Sequence, residues 1–177
     1  VEWDYQKGTL DQATKAFSVA AAKIAHDRGV KIHFFCVGRV LEQANIDWLK
    51  QIADNGHSIG NHTYDHVNLL ARTPDEIQFR FKRAPWLIAG RSIDDVLREN
   101  IRLTTIALQR RAGIDVNGFR APGGFNNGLA DRLDLQQMLL DQGFAWVSSK
   151  YPSYDPGRPK EPPTQEHYAN IVRAQSE

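Results

Sequence analysis

Four times along this chain a helix-like stretch runs into a glycine and a strand-like run begins soon after. The junctions are His26-Asp27-Arg28-Gly29 ahead of Val30 to Val37, Ala53-Asp54-Asn55-Gly56 ahead of His57 to Asn61, Arg111-Ala112-Gly113 ahead of Val116 to Arg120, and Asp141-Gln142-Gly143 ahead of Phe144 to Ser148. Glycine suits the left-handed position that closes a helix, so each junction reads as a turn from helix into strand. Helices and strands alternating through such short turns give parallel strands covered by helices. The fold class is therefore α/β, as an open doubly wound sheet or a barrel, and the spacing does not choose between them.

Apolar periodicity supplies the helices. Leu10, Ala13, Phe17, Ala20, Ala21 and Ile24 recur at spacings of three and four and predict one core-facing stripe along residues 10 to 28. Leu41, Ala44, Trp48, Leu49 and Ile52 predict a second, and Ile93, Val96, Leu97, Ile101, Thr104 and Leu108 a third. Leu133, Leu135, Met138 and Leu139 mark a shorter one. Thr73-Pro74-Asp75-Glu76 has the form of a helix start, and the aromatics that follow it, Phe79, Phe81 and Trp86, are expected to pack into the domain. From 151 to 163 the chain is rich in proline, which sustains neither helix nor central strand, and is read as a loop or arm.

The 177 residues make one ordinary domain, taken as 1–177 and expected to be incomplete at one or both ends. With 22 Lys and Arg against 21 Asp and Glu, the net charge of +1 gives no general attraction for nucleic acid, and the pair Arg110-Arg111 reads as a solvated helix end. The single cysteine, Cys36, lies in an apolar run, forms no internal disulfide and is expected to be a buried core thiol. No stretch is apolar enough to cross a bilayer, and nothing has the form of a signal peptide. The compartment stays open: secreted or cell-envelope with an upstream leader, cytoplasmic without one. The oligomeric state is equally open.

Three segments carry chemistry. His62-Thr63-Tyr64-Asp65-His66 follows directly on a predicted strand, where groups converge at the C-terminal edge of a parallel sheet. Two imidazoles four apart on a helical turn would share one side and one ion. The opening run Val1-Glu2-Trp3-Asp4-Tyr5 offers a carboxylate on the same face, giving a set of two histidines and one carboxylate with positions left for water and substrate. In Gly118-Phe119-Arg120-Ala121-Pro122-Gly123-Gly124 a strand ends on an arginine whose fixed fork of donors can orient a carboxylate or hold an oxyanion.

Together these segments resemble the polysaccharide deacetylase family, the group with the NodB homology domain, over residues 1 to about 150. The family's His-(Ser/Thr)-x-x-His motif is met by His62, Thr63 and His66, and its Arg-x-Pro motif by Arg120 and Pro122, with Gly123 where an aromatic is usual. The run His33-Phe34-Phe35-Cys36-Val37-Gly38 is similar to its second strand. The usual opening Thr-Phe-Asp-Asp is replaced by Glu2-Trp3-Asp4. On the resemblance Asp4 becomes the metal ligand and Glu2 the catalytic base, with Tyr5 at the ligand position if the register slips. The fourth motif is echoed loosely around Trp146, with Asp155. The leucine-histidine motif that supplies the acid is not visible, and His167 lies in a different context.

What the resemblance implies is a distorted, incomplete (β/α)7 barrel and a metal-dependent hydrolase of an amide C–N bond, acting by N-deacetylation of an acetylated glycan. Asp4, His62 and His66 would hold zinc, with cobalt, nickel or iron as alternatives. Glu2 and Arg120 would be catalytic, and the backbone N–H groups of Tyr64 or Asp65 would help to hold the oxyanion. Hydrolysis of a small cyclic amide or ureide, and a non-catalytic carbohydrate-binding role, are the other readings.

Overall fold

The computed structural model describes residues 1–150 and 164–176, so the expectation of a proline-rich arm at 151–163, and Asp155 within it, lie outside the described residues. A short antiparallel pair, β1 (Trp3–Asp4) and β2 (Thr9–Leu10), is followed by α1 (Gln12–Asp27), β3 (His33–Cys36), a 3-10 turn (Gly38–Glu42), α2 (Asp47–Asp54) and β4 (Ser58–Asn61). Two short helices, α3 (Pro74–Ile77) and α4 (Phe79–Arg83), precede α5 (Ile93–Ala107), β5 (Gly118–Phe125), α6 (Leu133–Asp141), β6 (Trp146–Lys150) and α7 (Gln165–Ser176).

Strands β3, β4, β5 and β6 form one parallel sheet in that order. The order never reverses, as it would at the switch point of a doubly wound sheet, and successive neighbours are what a barrel arc requires. Beyond β3, Val1 lies alongside: Val37 N–H donates to the Val1 carbonyl at 3.1 Å, and the Val1 amine to that of Phe35. The first strand-like run therefore leaves the sheet after Val1 and turns into the β1–β2 hairpin, instead of carrying Asp4 along the sheet.

All four junction glycines, Gly29, Gly56, Gly113 and Gly143, have φ between 68° and 85°, the left-handed turn expected of them. The stripes of α2, α5 and α6 also face the core, apart from Leu133 at the start of α6, which is 74% exposed. Trp48, Leu49 and Ile52, then Val96, Leu97, Ile101 and Thr104, then Leu135, Met138 and Leu139, are buried. Helix α1 is the exception. Its Phe17 and Ile24 are 75% and 54% exposed, and the face turned inward carries Ser18, Ala22 and Ala25. Those small residues let the helix backbone come close, and buried His57 donates from Nε2 to the Ala22 carbonyl at 2.8 Å. A periodicity count rewards large apolar side chains and so selects the wrong face.

The segment after Thr73 starts as expected, with Pro74 in the first turn and the Glu76 carboxylate accepting from the Arg72 and Thr73 N–H groups. Of its aromatics only Phe81 is buried; Phe79 and Trp86 stay exposed. Cys36 is fully buried, and burial pushes its thiol up to about 11, the chemistry of a core residue. No described helix is long and apolar enough to cross a membrane.

Candidate metal centre

Beyond β4 the chain does not become a helix. His62 to His66 is an irregular loop in which Thr63 and His66 adopt φ of 60° and 54°, the left-handed region that costs a side-chain-bearing residue energy. The helical turn expected from the four-residue spacing is replaced by this strained turn, and the two imidazoles still meet, with ring centroids 4.9 Å apart.

What holds the turn is a set of buried amides. Asn61 donates from Nδ2 to the Ile101 carbonyl at 2.7 Å and to Thr105 Oγ1 at 2.9 Å, while its Oδ1 accepts from Thr63 N–H at 2.8 Å. On α5, Asn100 accepts the Tyr64 N–H on its carbonyl and the Asp65 N–H on Oδ1. Thr63 Oγ1 accepts from Val67 N–H at 3.0 Å. The Asp65 carboxylate is buried between Arg39 and Arg80, at 2.5 and 2.8 Å. The backbone donors of Tyr64 and Asp65, expected to face an oxyanion, are thus committed to Asn100. Sequence reading missed these braces. The one signal was an amide, Asn100, inside the apolar stripe of α5.

His62 is buried, and its Nδ1 lies 2.7 Å from the Arg120 carbonyl. A carbonyl only accepts, so Nδ1 carries the proton and Nε2 presents a lone pair. Burial, with His66 nearby, pushes the ring down to about 3, so it is neutral at ordinary pH. Facing it is Glu2: Oε1 is 3.5 Å from His62 Nε2, and Oε2 is 3.7 Å from His66 Nε2. The three ligand atoms lie within 4.8 Å of one another.

Glu2 therefore occupies the place assigned to Asp4. The Asp4 carboxylate instead accepts from the N–H groups of Gln6 and Lys7 and meets Lys7 Nζ at 3.1 Å. It caps its own turn, which Gly8 completes at φ 67° by donating to the Asp4 carbonyl. An acidic residue starting a turn that ends in Gly8 was a local signal for this role.

Donor chemistry fits a cation. A lone pair on a neutral imidazole and a carboxylate oxygen have no proton to share, so their approach calls for positive charge between them. The two carboxylate oxygens of Glu2 each approach one imidazole, at 3.5 and 3.7 Å, and with one atom from each residue the set spans no more than 4.8 Å, room for a cation bound by nitrogen and oxygen ligands. Glu2, His62 and His66 are the residues that would hold such an ion.

The three open into a cleft of about 510 Å³ whose walls include Phe35, His33, Arg120 and Gly123. Arg120 contributes its carbonyl to His62, while its guanidinium donates to Ser148 Oγ at 3.0 Å and lies 5.7 Å from the Phe35 ring centre. Trp146 packs its ring against His33 and Phe35, at 4.7 and 5.5 Å between centres. His167 accepts the Thr164 N–H on α7.

Residues 8–138 match the family model described as polysaccharide deacetylase. The chain belongs to the polysaccharide deacetylase family. The match contains His62, His66 and Arg120, and Glu2 lies ahead of it. Among curated proteins, a chitooligosaccharide deacetylase of Azorhizobium caulinodans is 35% identical over 66 residues, which is 37% of this chain and 30% of that protein. Solved structures with the same fold include a CE4 family pseudoenzyme from Bacillus anthracis (TM-score 0.54, 21% identity, 76% of this chain and 38% of that one). Another is IcaB from Ammonifex degensii (TM-score 0.54, 18% identity, 89% and 66%). The chain thus spans less than a third of the curated relative it matches. The sequential parallel sheet belongs, with the family, to the distorted NodB-type barrel.

Proposed function

We propose that Glu2, His62 and His66 bind a divalent cation, zinc by preference, and that the chain removes acetyl groups from the amide nitrogen of an N-acetylated glycan. The observation that carries the reading is the convergence of the Glu2 carboxylate on two imidazole nitrogens, one of them on a ring held neutral by burial.

When bound, the cation would polarise the amide carbonyl and acidify water. The chain's own part is to orient and to exclude. The Arg120 carbonyl fixes the tautomer of His62, and the Phe35 ring, backed by Trp146, gives the cleft an apolar wall. The Arg120 guanidinium lines the same cleft and can meet negative charge on the substrate. Glu2 serves as a ligand here instead of the base.

A second reading rests on that exchange. The cluster contains one carboxylate among the described residues, and if it is a ligand it is not free to take a proton. A metal-binding glycan receptor without turnover would have this arrangement. Acetate released from N-acetylglucosamine oligomers by zinc-loaded protein, and lost in His62→Ala, supports deacetylation. Glycan binding without acetate supports the second reading, and protein that takes up no divalent metal on elemental analysis overturns the metal-centred reading.

A further inference from the structure

Between Ile77 and Ser92 the chain carries Arg80, Lys82, Arg83 and Arg91 and no acidic residue. In a protein whose net charge is +1, that concentration is local. Arg80 is engaged by Asp65, and Arg91 by Glu99. Lys82 and Arg83 are exposed and make no ion pair among the described residues; Arg83 lies 5.1 Å from the Phe79 ring centre. Helix α4, which carries them, closes at Ala84, and a 3-10 turn, Pro85–Leu87, follows at once. On that turn Trp86 is 72% exposed and Leu87 43%. The exposure is not fraying. Phe81 before the turn and Ile88 after it are buried in one core cluster, and the turn itself is closed by Leu87 N–H donating to the Ala84 carbonyl at 3.1 Å and Ile88 N–H to that of Pro85 at 3.2 Å.

An indole and a leucine side chain held in water on a pinned turn forfeit the burial such groups normally find, and an apolar patch with a polar rim marks an interaction surface. The rim decides the partner. Indole settles where hydrocarbon meets water, and ammonium and guanidinium groups beside it are drawn to anionic headgroups while their apolar stems lie along the acyl boundary. The exposed face of α1 lacks this combination, because Lys23 beside Ile24 is paired with Asp27. With no described helix able to cross a bilayer, the contact is peripheral. Phe79, at the root of the patch, lines a hollow with His66, so the turn lies on the side of the molecule that carries the metal cleft.

We propose that the turn bearing Trp86 and Leu87, with Lys82 and Arg83, docks the protein peripherally on a bilayer rich in anionic phospholipid and holds the metal cleft beside the headgroups. The docking stands apart from the deacetylase reading, because it is measured without substrate. Vesicles of equimolar phosphatidylcholine and phosphatidylglycerol should carry the full chain down on sedimentation, vesicles of phosphatidylcholine alone should not, and salt should release it. Lys82→Gln and Arg83→Gln should each weaken binding about fivefold, and Trp86→Ser more. All three side chains are exposed, so the variants should unfold at the wild-type urea concentration. With brominated acyl chains, tryptophan emission should be quenched in the wild type and spared in Trp86→Phe. Equal sedimentation with both kinds of vesicle, none with the anionic kind, binding unchanged in all three variants, or quenching retained in Trp86→Phe overturns the proposal. Dextran sulfate bound as tightly as the vesicles, with no dependence on Trp86, also overturns it, in favour of a soluble polyanion.

Discussion

Two stretches of chain meet at the candidate metal centre with very different support. The loop from Asn61 to Val67 is tied from two sides, with Asn100 and Ile101 of α5 holding one flank and Gly38 and Arg39 donating to the Thr63 and Tyr64 carbonyls on the other. The hairpin that delivers Glu2 has less. The Glu2 side chain is 43% exposed, and its carbonyl receives a 3.4 Å hydrogen bond from Asp11 N–H. One region brings the two imidazoles, with His62 held neutral by burial, and the other brings charge on a half-exposed side chain. On the proposed reading, the histidines fix the geometry at the centre and Glu2 is the group that would adjust to an ion.

The sharpest way to break the contrast is pH. His62 has its folded pKa near 3 against an ordinary 6.5, so its neutral form stabilises the metal-free fold above pH 6.5, and that stability is lost as pH falls towards 3. The full difference corresponds to about 5 kcal/mol. Urea unfolding of metal-free protein between pH 7 and 4 should show this slope, and His62→Asn should flatten it. Equal slopes would mean that burial does not hold the ring neutral.

Glu2 should matter to the ion and not to the fold. Glu2→Gln is expected to weaken zinc binding about 100-fold, the upper part of the range for disturbed metal surroundings, whereas Asp4→Asn should leave it within about twofold. A chelator competition measures both, and the reverse ranking would restore Asp4 as the ligand. Asn100→Ala tests the brace. It leaves the Asp65 N–H without its partner, which should cost about 1–3 kcal/mol in stability and about tenfold in zinc affinity, and unfolding and competition assays on one preparation would read both. At the small end, Phe17→Ser on the outward face of α1 should change stability by no more than about 0.5 kcal/mol in the same unfolding assay. A larger loss would show that this face is covered in solution.

The helix-to-strand alternation and the pairing of His62 with His66 were legible because glycine turns and motif order are local signals, whereas strand order and the left-handed backbone of the histidine loop were not. Gly29, Gly56, Gly113 and Gly143 each mark a boundary by backbone conformation alone, with no need of distant contacts. The orientation of α1 was not legible. It depends on which face finds a partner, and a small-residue face wins by close approach where Phe17 and Ile24 would hold the helix away. The exchange of Asp4 for Glu2 was hidden for a related reason. Both carboxylates precede Gly8, and only pairing of Val1 with β3 shows where the sheet is left and the turn begins. Asn100 was obscured because its value lies in two backbone groups about thirty-five residues away in sequence.

The left-handed backbone at Thr63 and His66 has a consequence for how such a site persists over generations. At His66 an asparagine or glycine would sit in that conformation with less strain, so mutational drift that discards the second imidazole would be rewarded with a sturdier chain. His66 thus holds its imidazole at a cost to folding that asparagine or glycine would not incur.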